Sequence, residues 1–222
     1  MKDFSLNLLC RGQSHLLPAT LDSLRGQNAS FEILLLDAEG SGRLEALAKQ
    51  YEELNIRIEN ANRCNLAQMM NLGLAHSQGK YIQFLEPGER YLSPHGLSFL
   101  TEFIKKEPHL ISARGVSQEA RSHWLLRKKI LEEGGFDEHL SFRPMLDLLC
   151  RFQKQGIEPV ICGRALVDSS QETVGSIFET CKVLHRHFGV SYMAKWLIKN
   201  YLHKLKGMAL SFKSAFFENE RQ

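Results

Sequence analysis

Short apolar segments alternate with longer segments of helical periodicity through residues 4–86. Four apolar runs have the length of strands, and a polar residue ends or follows each: Phe4–Cys10, Phe31–Asp37, 56–59 and Tyr81–Leu85. Between them, apolar residues recur every three or four positions, which predicts helices over 16–24, 43–54 and Leu66–His76. This alternation predicts a mostly parallel sheet that is covered by helices on both faces.

Several polar side chains fall where these predicted strands end. Arg11 and Gly12 follow the first strand, Asp37 ends the second, and Glu86 follows the fourth. Open parallel sheets bind their ligands beyond the carboxyl ends of the strands. The sequence therefore predicts a ligand site at that edge of the sheet.

The second half of the chain has a less regular pattern. We predict a helix over 94–106, strands over 110–113 and 122–126, a helix over 145–155 closed by Gly156, and a strand over 158–162. From residue 174 onward the pattern is helical. One α/β domain is expected over residues 1–170, with halves of about 1–92 and 93–170, and a helical extension over 171–222.

The composition is that of a soluble globular protein, with 43% hydrophobic and 24% charged residues in 222. No apolar run approaches the roughly 20 residues of a spanning helix, and the first residues do not form a secretory signal. Five scattered cysteines without a C-x-x-C pair indicate reduced thiols. We therefore expect a cytoplasmic protein.

Charge is unevenly distributed along the chain. Residues 180–217 carry six lysines, one arginine and no acid, although the net charge of the whole chain is only +3. Helical projection places Lys195 and Lys199 on one face and Met193, Leu197 and Tyr201 on the other, with an interruption expected at Gly207. Such a helix either packs on the domain with its lysines in water, or lies on an anionic membrane surface at the inner face of the membrane. Nucleic acid is not expected as its partner.

Four segments carry motifs in a characteristic order. They are S-L-N-L-L-C-R-G at 5–12, E-I-L-L-L-D-A-E-G-S at 32–41, N-L-A-Q-M-M-N-L-G with G-K-Y-I-Q-F-L-E-P-G-E over 65–89, and L-E-E-G-G-F-D-E at 131–138. Together they resemble the family 2 glycosyltransferases, which have the GT-A fold and use nucleotide sugars. The resemblance covers roughly residues 4–165. It implies that 1–92 binds the nucleotide sugar and that 93–170 faces the acceptor.

The resemblance implies roles for individual residues on the donor side. Asp37 stands where the family binds the nucleotide base, and Glu39 follows one step after Ala38, which replaces the usual second acid. Arg11, Asn71 and Glu86 are further candidates for contact with the nucleotide sugar, although Asn71 also suits a role in helix packing.

A divalent metal, Mn²⁺ or Mg²⁺, is also implied by the resemblance. Family members hold it with an Asp-x-Asp motif after the fourth strand, where its charge offsets that of the diphosphate. Here the local sequence is E-P-G-E, so Glu86 and Glu89 are the candidate metal ligands and Gly88 replaces the acid between them.

The acceptor side departs further from the family pattern. Gly135, Phe136 and Asp137 are expected to shape the acceptor pocket. The catalytic base of inverting members falls by spacing on Pro144 and Met145, and neither side chain accepts a proton. Asp147 is the nearest substitute and becomes the candidate catalytic base.

Two functions follow from these motifs. The first is transfer of a sugar from a nucleoside diphosphate sugar to an acceptor hydroxyl with inversion, in synthesis of cell-surface glycan or lipopolysaccharide. The second is a catalytically inactive binding protein with the same fold, which Gly88, Pro144 and Met145 favour. A dinucleotide-dependent enzyme is disfavoured because no G-x-G-x-x-G follows the first strand.

Overall fold

A computed structural model describes residues 2–40, 42–114, 121–168 and 177–219, without side chains at 121 and beyond 199. Within these described residues, nine strands form two sheets. Their bounds are β1 Phe4–Cys10, β2 Phe31–Asp37, β3 Ile56–Asn60, β4 Tyr81–Leu85, β5 Arg90–Tyr91, β6 Leu110–Arg114, β7 Arg121–Leu126, β8 Val160–Cys162 and β9 Val167–Asp168.

The described residues also form seven α-helices and two short 3-10 helices. The α-helices are α1 Leu17–Arg25, α2 Arg43–Ala48, α3 Leu66–His76, α4 Gly96–Ile104, α5 Arg127–Glu132, α6 Pro144–Lys154 and α7 Ile177–Asn219, and the 3-10 turns are Ser14–Leu16 and Lys49–Leu54. The mixed α/β architecture with a mostly parallel sheet confirms the predicted fold class.

The larger sheet has the strand order β3-β2-β1-β4-β7-β6-β8, and β5 pairs with β9 in a second, small sheet. Strands β1 to β4 run parallel, while β7 pairs antiparallel with both β4 and β6. Strands β2 and β3 follow one another on one side of β1, and β4 pairs with β1 on its other side. The order of the strands therefore reverses between β1 and β4, and a crevice at such a point is where α/β sheets bind ligands.

Buried side chains cover both faces of this sheet. Leu6 and Leu8 of β1 belong to one apolar cluster, and Leu9 belongs to the cluster on the opposite face. Since successive residues of a strand point to opposite faces, a strand that is buried on both sides is a continuous apolar run. All seven residues of β1 are buried, which accounts for a run in which only Ser5 and Asn7 are polar.

The structure corrects several predicted boundaries. The helix expected over 43–54 is broken at Tyr51, whose φ of −128° and ψ of 39° are not helical. The helix expected over 145–155 begins one residue earlier, because Pro144 suits a first helical position, where no N–H is needed. Gly156 follows it with a φ of 72°, as the closing glycine predicts.

The chain divides into two compact units, Met1–Val174 and Gly175–Gln222. The predicted boundary at 170/171 lies outside the described residues. In the second unit, α7 departs from helical geometry at Gly189, with a φ of 80° and a ψ of 178°. The interruption expected at Gly207 is wrong, because the helix continues through that residue. Among the described residues, no helix has both the length and the apolar character needed to cross a membrane.

Candidate active site

A cavity of about 320 Å³ lies in the first unit, beside the carboxyl end of β4 and the first turn of α6. It therefore lies next to the point where the strand order reverses. The lining residues come from β1, α3, the β4 end, β7 and the start of α6: Leu9, Leu66, Met70, Phe84, Glu86, Glu89, Ser122, His123, Phe142, Arg143, Pro144, Met145, Leu146 and Leu149.

The two predicted metal ligands, Glu86 and Glu89, line this cavity together. Glu86 Oε1 lies 3.6 Å from Arg11 Nη2, so the ends of β4 and β1 carry opposite charges. Glu89 Oε2 accepts a hydrogen bond of 2.7 Å from the backbone N–H of Glu86. Between them Gly88 has a φ of 99°, a conformation that is strained for other residues. The local turn therefore explains why a glycine stands where the family has an acid.

The loops after β1 and β2 are joined through Glu39. Its Oε1 accepts from the backbone N–H groups of Gly12 and Ser14 at 2.9 and 3.2 Å, and its Oε2 accepts from Ser14 Oγ at 2.9 Å. Asp37 Oδ1 in turn accepts from the N–H groups of Glu39 and Gly40 at 2.8 and 3.0 Å. Asp37 is 5% exposed. Both carboxylates thus shape the edge of the sheet through backbone contacts.

Asn71 holds the turn that carries the G-G-F-D motif. Its Oδ1 accepts from the Phe136 N–H at 2.8 Å, and its Nδ2 donates to the Phe136 carbonyl at 3.0 Å and to Glu138 Oε1 at 2.9 Å. Gly135 has a φ of 79°, and a Cβ there would lie 2.7 Å from Asn71 Oδ1. Contact with Asn71 thus requires a glycine at 135.

The residues expected to form the acceptor pocket lie behind the cavity lining. Phe136 is 3% exposed, and its ring packs edge-on against Phe84 with centroids 5.4 Å apart. Asp137 Oδ1 accepts from the N–H of His139 at 3.0 Å. Since Phe84 is itself a lining residue, the turn supports the wall of the cavity from outside.

Asp147, the candidate base, lies in the interior of the first unit. It is 3% exposed, and its Oδ2 accepts from Arg151 Nε at 3.0 Å. Arg151 also donates to the carbonyls of Glu133 and Gly135, each at 2.7 Å. Asp147 does not belong to the cavity lining. This geometry argues for a role in joining α6 to the G-G-F-D turn and against proton transfer to an acceptor.

The structure adds a histidine that sequence reasoning passed over because it has no metal-ligand spacing. His123 of β7 lines the cavity, and its Nδ1 lies 2.8 Å from Ser112 Oγ of β6. The available signal was its position in the predicted strand 122–126, because an imidazole in a strand that becomes partly buried needs a hydrogen-bonding partner.

Cys10, at the end of β1, is not a nucleophile in this site. Burial, reinforced by the carboxylates of Glu39 and Asp37, raises the pKa of its thiol to about 12. The thiolate is the reactive form of cysteine. A covalent mechanism through Cys10 is therefore disfavoured at neutral pH.

The match to a known family includes every residue that lines the cavity. The family model for glycosyl transferase family 2 matches residues 9–165. The order of the strands and the cavity beside β4 define a protein of the GT-A class. The chain belongs to glycosyl transferase family 2. No curated protein sequence matches it.

Solved glycosyltransferases share the fold at low sequence identity. TarS residues 1–349 from S. aureus, in complex with UDP-GlcNAc, superposes with a TM-score of 0.69 at 14% identity, over 83% of this chain and 65% of that one. The mannosyltransferase PcManGT from Pyrobaculum calidifontis, in complex with GDP-Man and Mn²⁺, gives 0.67 at 13% identity, over 83% and 62%. The chain thus spans under two thirds of the length of these structures.

Proposed function

We propose that the chain transfers a sugar from a nucleoside diphosphate sugar to an acceptor hydroxyl, with inversion at the anomeric carbon. The observation that carries this is the cavity beside the carboxyl end of β4, which Glu86 and Glu89 line from one side and the first turn of α6 from the other. Its volume of about 320 Å³ suits the sugar end of a donor. A role in cell-surface glycan or lipopolysaccharide synthesis is part of this proposal.

The reaction is a displacement at the anomeric carbon. The acceptor oxygen forms the new bond to that carbon as the bond to the phosphate oxygen breaks, and the diphosphate leaves with the electron pair. Positive charge beside the diphosphate stabilises this departure. Arg11 is a suitable source, because its guanidinium lies at the end of β1 and already pairs with a carboxylate.

The carboxylates at the end of β4 fit one side of a divalent cation. Oxygen ligands suit Mg²⁺ and Mn²⁺, which commonly take their other ligands from substrate phosphates and water. Within the part of the chain that the structure describes, no three His, Cys, Asp or Glu side chains gather as a metal site. Glu86 and Glu89 would therefore hold the cation together with the donor, and it would offset charge on the diphosphate.

The loops after β1 and β2 form the edge of the sheet that we expect to bind the nucleotide. Asp37 keeps its place at the end of β2, and Glu39 fixes residues 12–14 opposite it. We assign to Asp37 the contact with the base and to Glu39 the placement of the loop. Asn71, through its three hydrogen bonds to the G-G-F-D turn, acts on the shape of the cavity.

A binding protein without catalysis is the competing proposal. The observation that favours it is the start of α6, where Pro144 and Met145 line the cavity in place of the family's acids. The burial of Asp147 beside Arg151 removes the nearest substitute from the lining. The two proposals agree on donor binding and differ on turnover.

Calorimetric titration with UDP-, GDP-, CMP- and dTDP-sugars, with and without Mn²⁺, tests donor binding. We expect one nucleotide class to bind and Mn²⁺ to increase its affinity. Glu86→Gln should remove most of the Mn²⁺ effect, whereas Glu52→Gln, at an exposed glutamate outside the cavity, should leave it unchanged. If no donor binds under any condition, the proposed function is wrong.

Turnover separates the two proposals. Release of the nucleotide from the bound donor, as a nucleoside diphosphate or, from a CMP-sugar, as CMP, is expected from an enzyme with water or an added glycan as acceptor. Binding without any release supports the inactive binding protein. Both measurements use the same preparation, so a folding defect is detected by the binding step.

The second unit adds a membrane proposal at the inner, cytoplasmic face. In α7, large apolar side chains are exposed, including Phe178 at 80%, Val190 at 60% and Ile198 at 61%. The basic segment 180–217 supplies complementary charge for anionic lipid. We expect co-sedimentation with vesicles that contain phosphatidylserine and much less with neutral vesicles. If the protein stays in the supernatant to the same extent with both kinds of vesicle, the proposed membrane contact is wrong.

A further inference from the structure

The acceptor side of the cavity contains no carboxylate at the place where the family carries one. Pro144 and Met145 form the first turn of α6 and line the cavity. Asp147 follows within the same helix, but it is 3% exposed and bonded to Arg151. A transferase built on this chain therefore needs a different group to accept the proton of the acceptor hydroxyl.

Among the lining residues, the side chains able to accept a proton at neutral pH are Glu86, Glu89 and His123. The two glutamates follow β4, on the side where Arg11 pairs with Glu86. Glu89 also accepts a hydrogen bond from the Glu86 N–H. Both glutamates thus lie on the charged side of the cavity, where the donor is expected to bind. His123 comes from β7, on the acceptor-side half of the chain.

Strand pairing fixes the orientation of His123. Ser112 of β6 lies directly opposite His123 of β7 in the antiparallel register. Directly opposed residues point to the same face of a sheet, and Ser112 is 2% exposed. The contact of 2.8 Å joins Ser112 Oγ to His123 Nδ1. When Nδ1–H donates to the hydroxyl, the ring has the tautomer whose lone pair is on Nε2.

The face of the sheet that carries His123 is also the face that supports α6. Leu125, two residues along β7 and therefore on the same face, belongs to the apolar cluster that contains Leu148 of α6. Met145 and Leu149 pack against the same cluster and line the cavity. The imidazole thus approaches the cavity beneath the helix whose first turn replaces the family's acids.

We infer that His123 is the general base of the proposed transfer and that Ser112 is the residue that positions it. This inference rests on the proposed function. As the acceptor oxygen bonds to the anomeric carbon, its proton passes to His123 Nε2, and the diphosphate leaves with the electrons of the broken C–O bond. The imidazolium then returns the proton to water. Imidazole is the side chain most often used for this task.

Donor hydrolysis tests the inference without knowledge of the natural acceptor, since the same base would activate water. The probe is whichever UDP-, GDP-, CMP- or dTDP-sugar binds the wild-type chain, and the readout is release of its nucleotide, a nucleoside diphosphate or, from a CMP-sugar, CMP. His123→Gln should lower the rate about 10²- to 10⁴-fold and leave the donor Kd within twofold of wild type. His109→Gln is the matched control, because His109 is exposed and outside the cavity.

Further variants separate catalysis from folding. Imidazole added to His123→Ala should restore part of the release rate, which a purely structural histidine would not allow. Ser112→Ala should lower kcat with little change in the donor KM, by less than His123→Gln does, and Ser112→Thr should recover most of the loss. Melting temperatures measured on all variants establish that each is folded.

The outcomes distinguish this inference from the proposed function. Full hydrolysis by His123→Gln would overturn the inference and leave the transferase proposal intact. Donor binding by the wild-type chain without any release would also overturn it, and would support the inactive binding protein. Absence of donor binding by the wild-type chain would refute both proposals together.

Discussion

Replacing Asn71 by alanine tests whether this residue holds the G-G-F-D turn or contacts the donor. The change deletes one acceptor and one donor that bind the backbone of Phe136 at 2.8 and 3.0 Å. It also deletes the bond to Glu138 Oε1, a residue that is exposed. The backbone N–H and C=O of Phe136 would then lack their partners beside a side chain that is 3% exposed.

The expected cost follows from these two backbone groups. Leaving a buried polar group unsatisfied costs about 1–3 kcal/mol, and exposed hydrogen bonds add little. Because the bonds are only partly buried, we expect a loss of about 2–4 kcal/mol in the free energy of unfolding. For a domain of this size, that lowers the melting temperature by roughly 4–16 °C.

Urea unfolding followed by tryptophan fluorescence measures the change, since Trp124 is completely buried in the first unit. Asn62→Ala is a suitable control because Asn62 is exposed, and it should stay within about 0.5 kcal/mol of wild type. Donor affinity is measured on the same variants. An unchanged unfolding midpoint with lost donor affinity would refute the structural assignment and restore Asn71 as a direct ligand.

Three further predictions concern the neighbouring contacts. Arg151→Leu should destabilise the protein by about 3 kcal/mol in urea unfolding, because it removes the guanidinium that pairs with the buried Asp147 carboxylate; a neutral effect would contradict this. Glu39→Ala should weaken donor binding about tenfold in calorimetry, since each good hydrogen bond to a charged group contributes about 1.5–3 kcal/mol and residues 12–14 lose three; unchanged affinity would show that the loop needs no such support. Iodoacetamide at pH 8 should label the partly exposed Cys64 and Cys181 well before the buried Cys10, Cys150 and Cys162. Burial raises the pKa values of these three buried thiols to about 12, 11 and 11, respectively. Early labelling of a buried thiol would contradict the packing.

Local patterns in the sequence were sufficient for the parallel half of the fold. The runs of β1 and β2 are mainly apolar because both faces of these strands are largely buried. Their length and the helical spacing between them predict the same elements that the structure contains. The predicted ends of β1, β2 and β4 also indicated where Arg11, Asp37 and Glu86 lie, since parallel strands end at a common edge.

Motif order gave the family, but it did not settle the roles of single side chains. Asp147 looks like an available carboxylate in the sequence, yet α6 turns it toward Arg151 and the interior. In the sequence, Glu39 looks like a ligand for the nucleotide. In the structure, Cys10 pairs with Asp37 across β1 and β2, and this pairing brings the carboxylate of Glu39 to the backbone of Gly12 and Ser14. These roles depend on which neighbour is within about 3 Å, and spacing along the chain does not encode that distance.

The sequence alone determined that this chain folds as a mostly parallel α/β sheet and carries acidic groups after β4, because strand period, helical period and motif order are local properties. Tertiary structure decided what faces the cavity. Ser112 meets His123 only because β6 and β7 pair antiparallel in one register, and a shift of one residue would turn the imidazole to the other face of the sheet. The chemistry of the acceptor side is therefore a consequence of the pairing between β6 and β7.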